Sequence, residues 1–387
     1  MSSSLAVWAA GEEVDLTLIE LPSWHREQRV SHTHLYNNKG PRRVRGSLFV
    51  YNLPNMRKFI FSLILFLGAA FVYLSFSELE SIVHTLQQGN FWFILLALIA
   101  QVGWFLVAGL IYQSLYHALG MDDTVYKLSL LAASATFINI VTPSAGVGGV
   151  AVFISEARRK QQSVGKVTVA SMLYLFLDYL AFLVVLALGL IILFRRNDLG
   201  PAQLAASAVM LAIAAGLGSL LYLGSRSAAA LGNALAKMAR WVNRVVYPFI
   251  HRDYLSEARA HEFAHEMASD LKSLPEKYYS LRIPLLYSFA SKALLMGVLL
   301  SVFMAFQVPF SAGTIIGGFT ISYLFLIVSP TPSGVGIVEG VMPLALSSLQ
   351  VPWSEAVLIT LAYRGITFWL PLALGAVALR VLEREKK

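Results

Sequence analysis

"SPTPSGVGIVEG", Ser329 to Gly340, decides how this chain is read. The run before it, TIIGGFTISYLFLIV, is apolar enough to lie in lipid. The stretch itself carries Pro330, Pro332, Gly334, Gly336, Gly340 and a carboxylate, Glu339. Proline removes a backbone donor and clashes with the preceding helical turn, and glycine weakens a helix interior. In hydrocarbon, broken backbone survives only where protein or a water-filled cavity covers it. The break therefore marks covered structure beside a polar path.

A second stretch has the same character. "VTPSAGVGGVAVFISEARRK", Val141 to Lys160, follows another apolar run, 127–142, and carries Pro143, Gly146, Gly148 and Gly149 before Glu156. Both stretches have a Pro-Ser step, then Gly-Val-Gly, then a glutamate. Downstream, "LDYLAFLVVLALG" (Leu177–Gly189) aligns without gaps with "YRGITFWLPLALG" (Tyr363–Gly375). Phe182 falls opposite Phe368, Gly189 opposite Gly375 and Asp178 opposite Arg364. Two matched blocks in the same order point to an internal repeat.

Composition sets the solvent. The chain has 387 residues, is 57% hydrophobic and 13% charged, and has a mean hydropathy of +0.65. Soluble domains carry about 25% charged residues, so this is an all-α polytopic membrane protein. There is no cysteine, hence no disulfide and no thiolate site. The net charge of +8 is read as cytoplasmic Lys and Arg rather than as a nucleic-acid surface. No G-x-x-x-x-G-K-[ST] loop occurs, and no cofactor is expected.

A crossing helix needs about 20 apolar residues. Runs 59–76, 91–116, 167–194, 202–224, 284–309 and 355–380 qualify, and 127–142 and 313–329 are the shorter runs that end in the breaks. Lys and Arg mark the cytoplasmic loops. The charge-free loop around Ser347 to Trp353 is placed outside, and Lys127 and Arg158 to Lys160 inside, so 127–157 must leave the cytoplasm and return. The expected architecture is two inverted repeats: about six full spans plus two re-entrant broken-helix hairpins, with both termini cytoplasmic in the plasma (inner) membrane. Eight full spans are the alternative. The segments are a disordered basic extension 1–55 before a start-like Met56, a first repeat 56–224, a cytoplasmic amphipathic loop 225–283, and a second repeat with a short tail 284–387. Arg195 and Arg196 break the charge pattern and are expected to reach the headgroups.

Ionisable groups inside spans cost about 2.5–3.5 kcal/mol each and mark function by default. Asp178, Lys292, Arg364 and Glu339, with Glu156 in the first hairpin, form the expected substrate path. In it the cations meet lipid phosphate and the carboxylates a cationic group or water. A structural pair between Asp178 and Arg364, tying the repeats together, is compatible with that path. In the loop, Leu231, Leu235, Met238, Val242 and Val245 share one helical face opposite Lys237, Arg240 and Arg244, the pattern of a helix on the inner leaflet. "HEFAH", His261 to His265, matches a zinc-protease motif, but it sits in a polar helix without an evident third ligand.

"TPSAGVGGVAVFISEA" and "SPTPSGVGIVEGVM", with the downstream Arg364, resemble the flippase-type membrane region of bacterial lysylphosphatidylglycerol synthase/flippase proteins. The resemblance covers most of Met56 to Lys387. It implies movement of a lipid, such as an aminoacylated phospholipid, between leaflets. The 387 residues hold no transferase domain after the last span, so the transport half alone is implied, with membrane lipids and a separately encoded lipid-modifying enzyme as partners. A non-transporting lipid-binding scaffold and a membrane zinc metalloprotease are the other readings.

Overall fold

The computed structural model describes residues 82, 84–141, 147–197, 199–250, 256–272 and 281–384. Every regular element among them is helical. Expectations for residues 1–55, for the run 59–76, and for Pro143 and Gly146 lie outside the described residues.

The helices follow in order: α1 (Phe91–Ala118), α2 (Val125–Val141), α3 (Val147–Arg159), α4 (Val164–Arg195), α5 (Pro201–Arg226), α6 (Ala228–Ile250) and α7 (Glu257–Lys272). Then come α8 (Arg282–Ala305), α9 (Ala312–Val328), α10 (Ile337–Ser348), α11 (Trp353–Arg364) and α12 (Leu370–Arg384). α11 runs into α12 through a π-helical turn, Gly365–Trp369. Local chemistry sets the ends. The Asn90 side chain accepts from the Trp92 N–H at 3.0 Å to start α1, and Ser163 does the same for α4 through Lys166 N–H at 3.2 Å. Ser311 and Thr314 cap α9 reciprocally. α9 stops at Ser329 because Pro330 disfavours helix in the residue before it.

Five helices among the described residues are long and apolar enough to cross a membrane: α1, α4, α5, α8 and the joined α11–α12. Their outer faces match lipid. Leu96, Ile99, Val102 and Leu106 form an exposed apolar stripe along α1, the pattern of a surface that water does not solvate.

Two pairs of short helices fold back on themselves. Lys127, at the start of α2, bonds Glu156, near the end of α3, at 2.7 Å, and Lys160 reaches Asp123 at 2.6 Å. The first pair therefore opens and closes at one end of the molecule. At the second pair, Arg196 donates to Ser311 Oγ at 3.1 Å and to the Leu349 carbonyl at 3.2 Å, joining the start of α9 to the end of α10. Arg196 thus clasps the two ends of the second pair. The 32-residue α4 runs about 48 Å at 1.5 Å per residue. Its N-terminus adjoins the mouth of the first pair and its C-terminus the mouth of the second.

The glycines that align in the sequence also correspond in space. A β-carbon on Gly189 would lie 2.3 Å from Thr320 Oγ1, and one on Gly375 would lie 2.5 Å from the Ala133 carbonyl oxygen. So α4 packs on α9 and α12 packs on α2, each through a glycine, and Thr320 and Ala133 are both the ninth residue of their helices. The two glutamates do not correspond. Glu339 is the third residue of α10, whereas Glu156 is the tenth of α3.

The loop helix α6 departs from its expected face. Leu231 is buried, but so are Gly232, Ala236, Ala239 and Asn243, while Met238 is 52% exposed. The cause is small residues: a β-carbon on Gly232 would lie 2.4 Å from Nδ1 of His261, so the His261 ring of α7 packs directly on that face.

Single cysteines can be placed without background because the chain has none. A cysteine at Gln161, at the first mouth, is expected to react with impermeant reagent only from the cytoplasm, and one at Gln350, at the second mouth, only from outside. Reaction of both from one side would refute opposed hairpins.

Candidate functional site

A cavity of about 680 Å³ lies where the breaks approach the middle of the long helices. Pro330, Thr331, Pro332 and Ser333 of the second break line one side, and Gly149 of the first lies in the wall. Asp178 from α4 and Arg364 from the end of α11 share this wall.

The second break is held by side chains. Thr331 N–H donates to Ser329 Oγ at 3.1 Å, and Thr331 Oγ1 donates to the Val335 carbonyl at 2.9 Å. Ser333 sits at φ 49° and Gly334 and Gly336 at φ 71° and 79°; the two glycines adopt this left-handed backbone at little cost. Gly336 N–H donates to Glu339 Oε2 at 2.8 Å, so Glu339 caps its own helix. Its other oxygen accepts from Arg364 Nε at 2.6 Å, and Arg364 Nη2 donates to the Ser333 carbonyl at 3.1 Å. The guanidinium lies 4.9 Å from the Phe368 ring centroid. One arginine thus links the break, the cap and the π-helical turn.

The first break is described only from Val147 onward. There Gly149 N–H donates to Asn139 Oδ1 at 2.7 Å. A β-carbon on Gly149 would lie 2.6 Å from Asn139 Nδ2 and 3.1 Å from the Ala135 carbonyl, which is why a glycine stands there. Gly148 lies beside it in α3.

Asp178 and Arg364 line the same cavity but do not pair with each other. Lys292 of α8, 1% exposed, donates to Asp178 Oδ1 at 2.6 Å and to the Tyr323 hydroxyl at 2.6 Å. Tyr323 in turn donates to Asp178 Oδ2 at 3.2 Å. The expected Asp178–Arg364 pair is replaced by two pairs, Asp178–Lys292 and Arg364–Glu339, because each charge finds a nearer partner on a helix of other sequence. Glu156 is away from the cavity wall and bonds Lys127 and Arg159 at the first mouth. Four of the five expected residues therefore converge.

The site also holds residues the sequence reading did not single out: Tyr323, Gln101 and Asn139. Gln101 and Asn139 are lone polar groups in apolar runs, LIAQV and FINIV, and that isolation was the available signal; Tyr323 stands beside Ser322 in ISYLF. His261 and His265 lie exposed on α7, the first against Gly232. Among the described residues no group of three or more His, Cys, Asp or Glu is placed to hold a metal ion.

Residues 59–375 match the family described as the lysylphosphatidylglycerol synthase TM region. The chain belongs to that family. It is a membrane-protein family, in keeping with the crossing helices, and the match takes in both breaks and the whole cavity wall. Over 67 residues, 17% of the chain, the sequence is also 37% identical to UPF0104 membrane protein MJ1595 of Methanocaldococcus jannaschii. That stretch spans 20% of the relative's length.

Breaking a buried ion pair costs about 3–5 kcal/mol, whereas replacing both members by neutral groups is often near neutral. Asp178→Asn and Lys292→Met are each expected to lower folded yield and melting temperature, and the double variant to recover most of both. Size-exclusion profiles and thermal melts of purified protein provide the check. A double variant as unstable as the worse single one would contradict the pairing.

Proposed function

We propose that the chain is a flippase-like transporter that passes a lipid headgroup across the bilayer while the acyl chains stay in hydrocarbon. The observation that carries this is the cavity: a broken helix, an arginine and a buried carboxylate share one wall inside a membrane protein. Irregular backbone at membrane depth belongs beside a cavity, and intramembrane ionisable groups mark pathways. Membership of the family supports a lipid-related role.

The architecture fits such a role as two inverted repeats, α1–α5 and α8–α12, with the loop helices α6 and α7 between them. The matched glycine contacts and the opposed mouths of the two folded-back pairs support this arrangement. Inverted repeats with broken helices meeting at a central site are a recurrent transporter design. On this reading both termini face the cytoplasm, the side the Lys- and Arg-rich loops favour, and the membrane is the plasma membrane. A separately encoded enzyme would supply a modified lipid.

Removing Arg364 alone would strand Glu339, so the test changes both. Arg364→Gln with Glu339→Gln leaves no unpaired charge and is expected to fold with near-normal yield. In proteoliposomes its rate of lipid exchange between leaflets is expected to fall at least about ten-fold, the scale of about 1.4 kcal/mol on a barrier. Unchanged exchange in the double variant would reject a transport role for the pair. Lipid binding without exchange in the unaltered protein would favour the scaffold reading.

A further inference from the structure

We propose that the uncovered face of α6 docks on the anionic phospholipid headgroups of the cytoplasmic leaflet. Met238 and Trp241 enter the boundary between headgroups and acyl chains, and Lys237 and Arg244 meet the phosphates. The choice of leaflet rests on the orientation proposed above. The docking itself does not depend on lipid transport.

The first ground is where α6 lies. α5 is long and apolar enough to cross the membrane. From Pro201 to Tyr222 it rises about 32 Å at 1.5 Å per residue, which matches a hydrocarbon core of about 30 Å. Tyr222 is exposed there, and the Arg226 guanidinium lies 5.6 Å from its ring centroid. An aromatic ring and a cation at that depth mark the headgroup level. α6 begins at Ala228, straight after Ser227, which is in extended backbone at φ -154° and ψ 118°. A β-carbon on Gly224 of α5 would lie 3.2 Å from the Leu231 side chain. In an unbroken helix Leu231 would stand about 10.5 Å further along the axis, too far for a leucine to return. The chain therefore bends sharply at Ser227, and the face of α6 that carries Leu231 turns back toward the end of the crossing helix. α6 leaves along the membrane surface rather than straight into water.

The second ground is what that face carries. Leu231, Leu235, Met238 and Val242 recur at helical spacing. Leu231 is buried, Leu235 and Val242 are half-buried, and Met238 is exposed. Beside Met238 stands Trp241, 64% exposed. α7 takes the flank that carries Gly232 and Ala236 and leaves these two large side chains uncovered. Lys237 and Arg244 are exposed along the edge next to Trp241 and form no ion pair among the described residues, whereas Arg240 is held by Glu257 of α7. A tryptophan with apolar neighbours and flanking cations suits a helix at a membrane interface, and each cation close to the surface adds to the attraction for negative lipid. An acidic protein would answer the cations too, but the bend that turns α6 toward the membrane side favours lipid.

The test uses the full chain in nanodiscs, with a bimane fluorophore on Met238→Cys; the chain has no other cysteine. The discs hold phosphatidylcholine and phosphatidylglycerol in equal parts, and one lipid or the other carries brominated chains. The two quenching levels are expected to report a local enrichment of phosphatidylglycerol of at least about five-fold, the worth of one surface cation. Aqueous iodide is expected to quench this label weakly. It is expected to quench strongly a label on Asn233→Cys, about 140° round the helix from Met238. Lys237→Gln with Arg244→Gln is expected to abolish the lipid preference with an unchanged elution profile. Equal quenching by the two lipids, or a preference that survives the double substitution, would overturn the assignment of anionic lipid to Lys237 and Arg244. Free access of iodide to the Met238→Cys label would overturn the docking, and shielding from both iodide and bromine would assign the face to a protein instead. None of these readings uses lipid exchange, so a failure of transport leaves the docking standing. Reaction of the Gln161 cysteine from outside would overturn the choice of leaflet alone.

Discussion

A broken helix inside hydrocarbon must satisfy its own backbone, because no water is there to do so. Everything around Ser329 to Gly340 answers to that constraint. Ser329 and Thr331 bond the turn from within, Glu339 takes the Gly336 N–H, and Arg364 reaches across from α11 to the Ser333 carbonyl. Arg364 then needs a counter-charge, and Glu339, already placed by capping α10, supplies it. One structural demand therefore fixes the break and Arg364 at the cavity wall, with Glu339 paired behind them. The cavity is what remains beside a break that the helices cannot close.

The second charge pair has a different logic. Lys292 is fully enclosed, so its ammonium is tolerable only with both Asp178 and Tyr323 against it. The three residues come from α4, α8 and α9, and the pair holds those helices together across the cavity. Aromatic packing completes the joint: Tyr323 stacks on Phe319 at 5.4 Å and meets Phe182 at 4.7 Å.

Much of this was readable from residue order. The apolar runs 91–116, 167–194, 202–224, 284–309 and 355–380 became α1, α4, α5, α8 and the joined α11–α12, with ends within a few residues of those expected. Runs 127–142 and 313–329 became the short helices α2 and α9 before the breaks. The Gly189–Gly375 alignment marked two real close contacts. Misreadings came where a residue's partner lay on another helix. Matching Glu156 with Glu339 treated two glutamates in similar stretches as equivalent, although one ends a mouth and the other caps a helix. Pairing Asp178 with Arg364 assumed that alignment opposite one another meant contact. The face of α6 was assigned from large apolar residues, but the small ones Gly232, Ala236 and Ala239 admit the neighbouring helix.

Sequence by itself determined the solvent, the spans and the places where helix must stop, because hydropathy and the geometry of proline and glycine act locally and need no partner. It also determined which charges would have to be explained, since an ionisable group in an apolar run is costly wherever it points. Only the tertiary structure decided who satisfies whom. The 2.6 Å partners of Asp178 and Arg364 come from residues 114 and 25 positions away, and the orphan oxygen of Gln101 is visible only once its surroundings are built. The pairing of charges at the cavity is a property of that assembled wall. It depends on distances between helices that are fixed by packing, and no pattern along the chain encodes them directly.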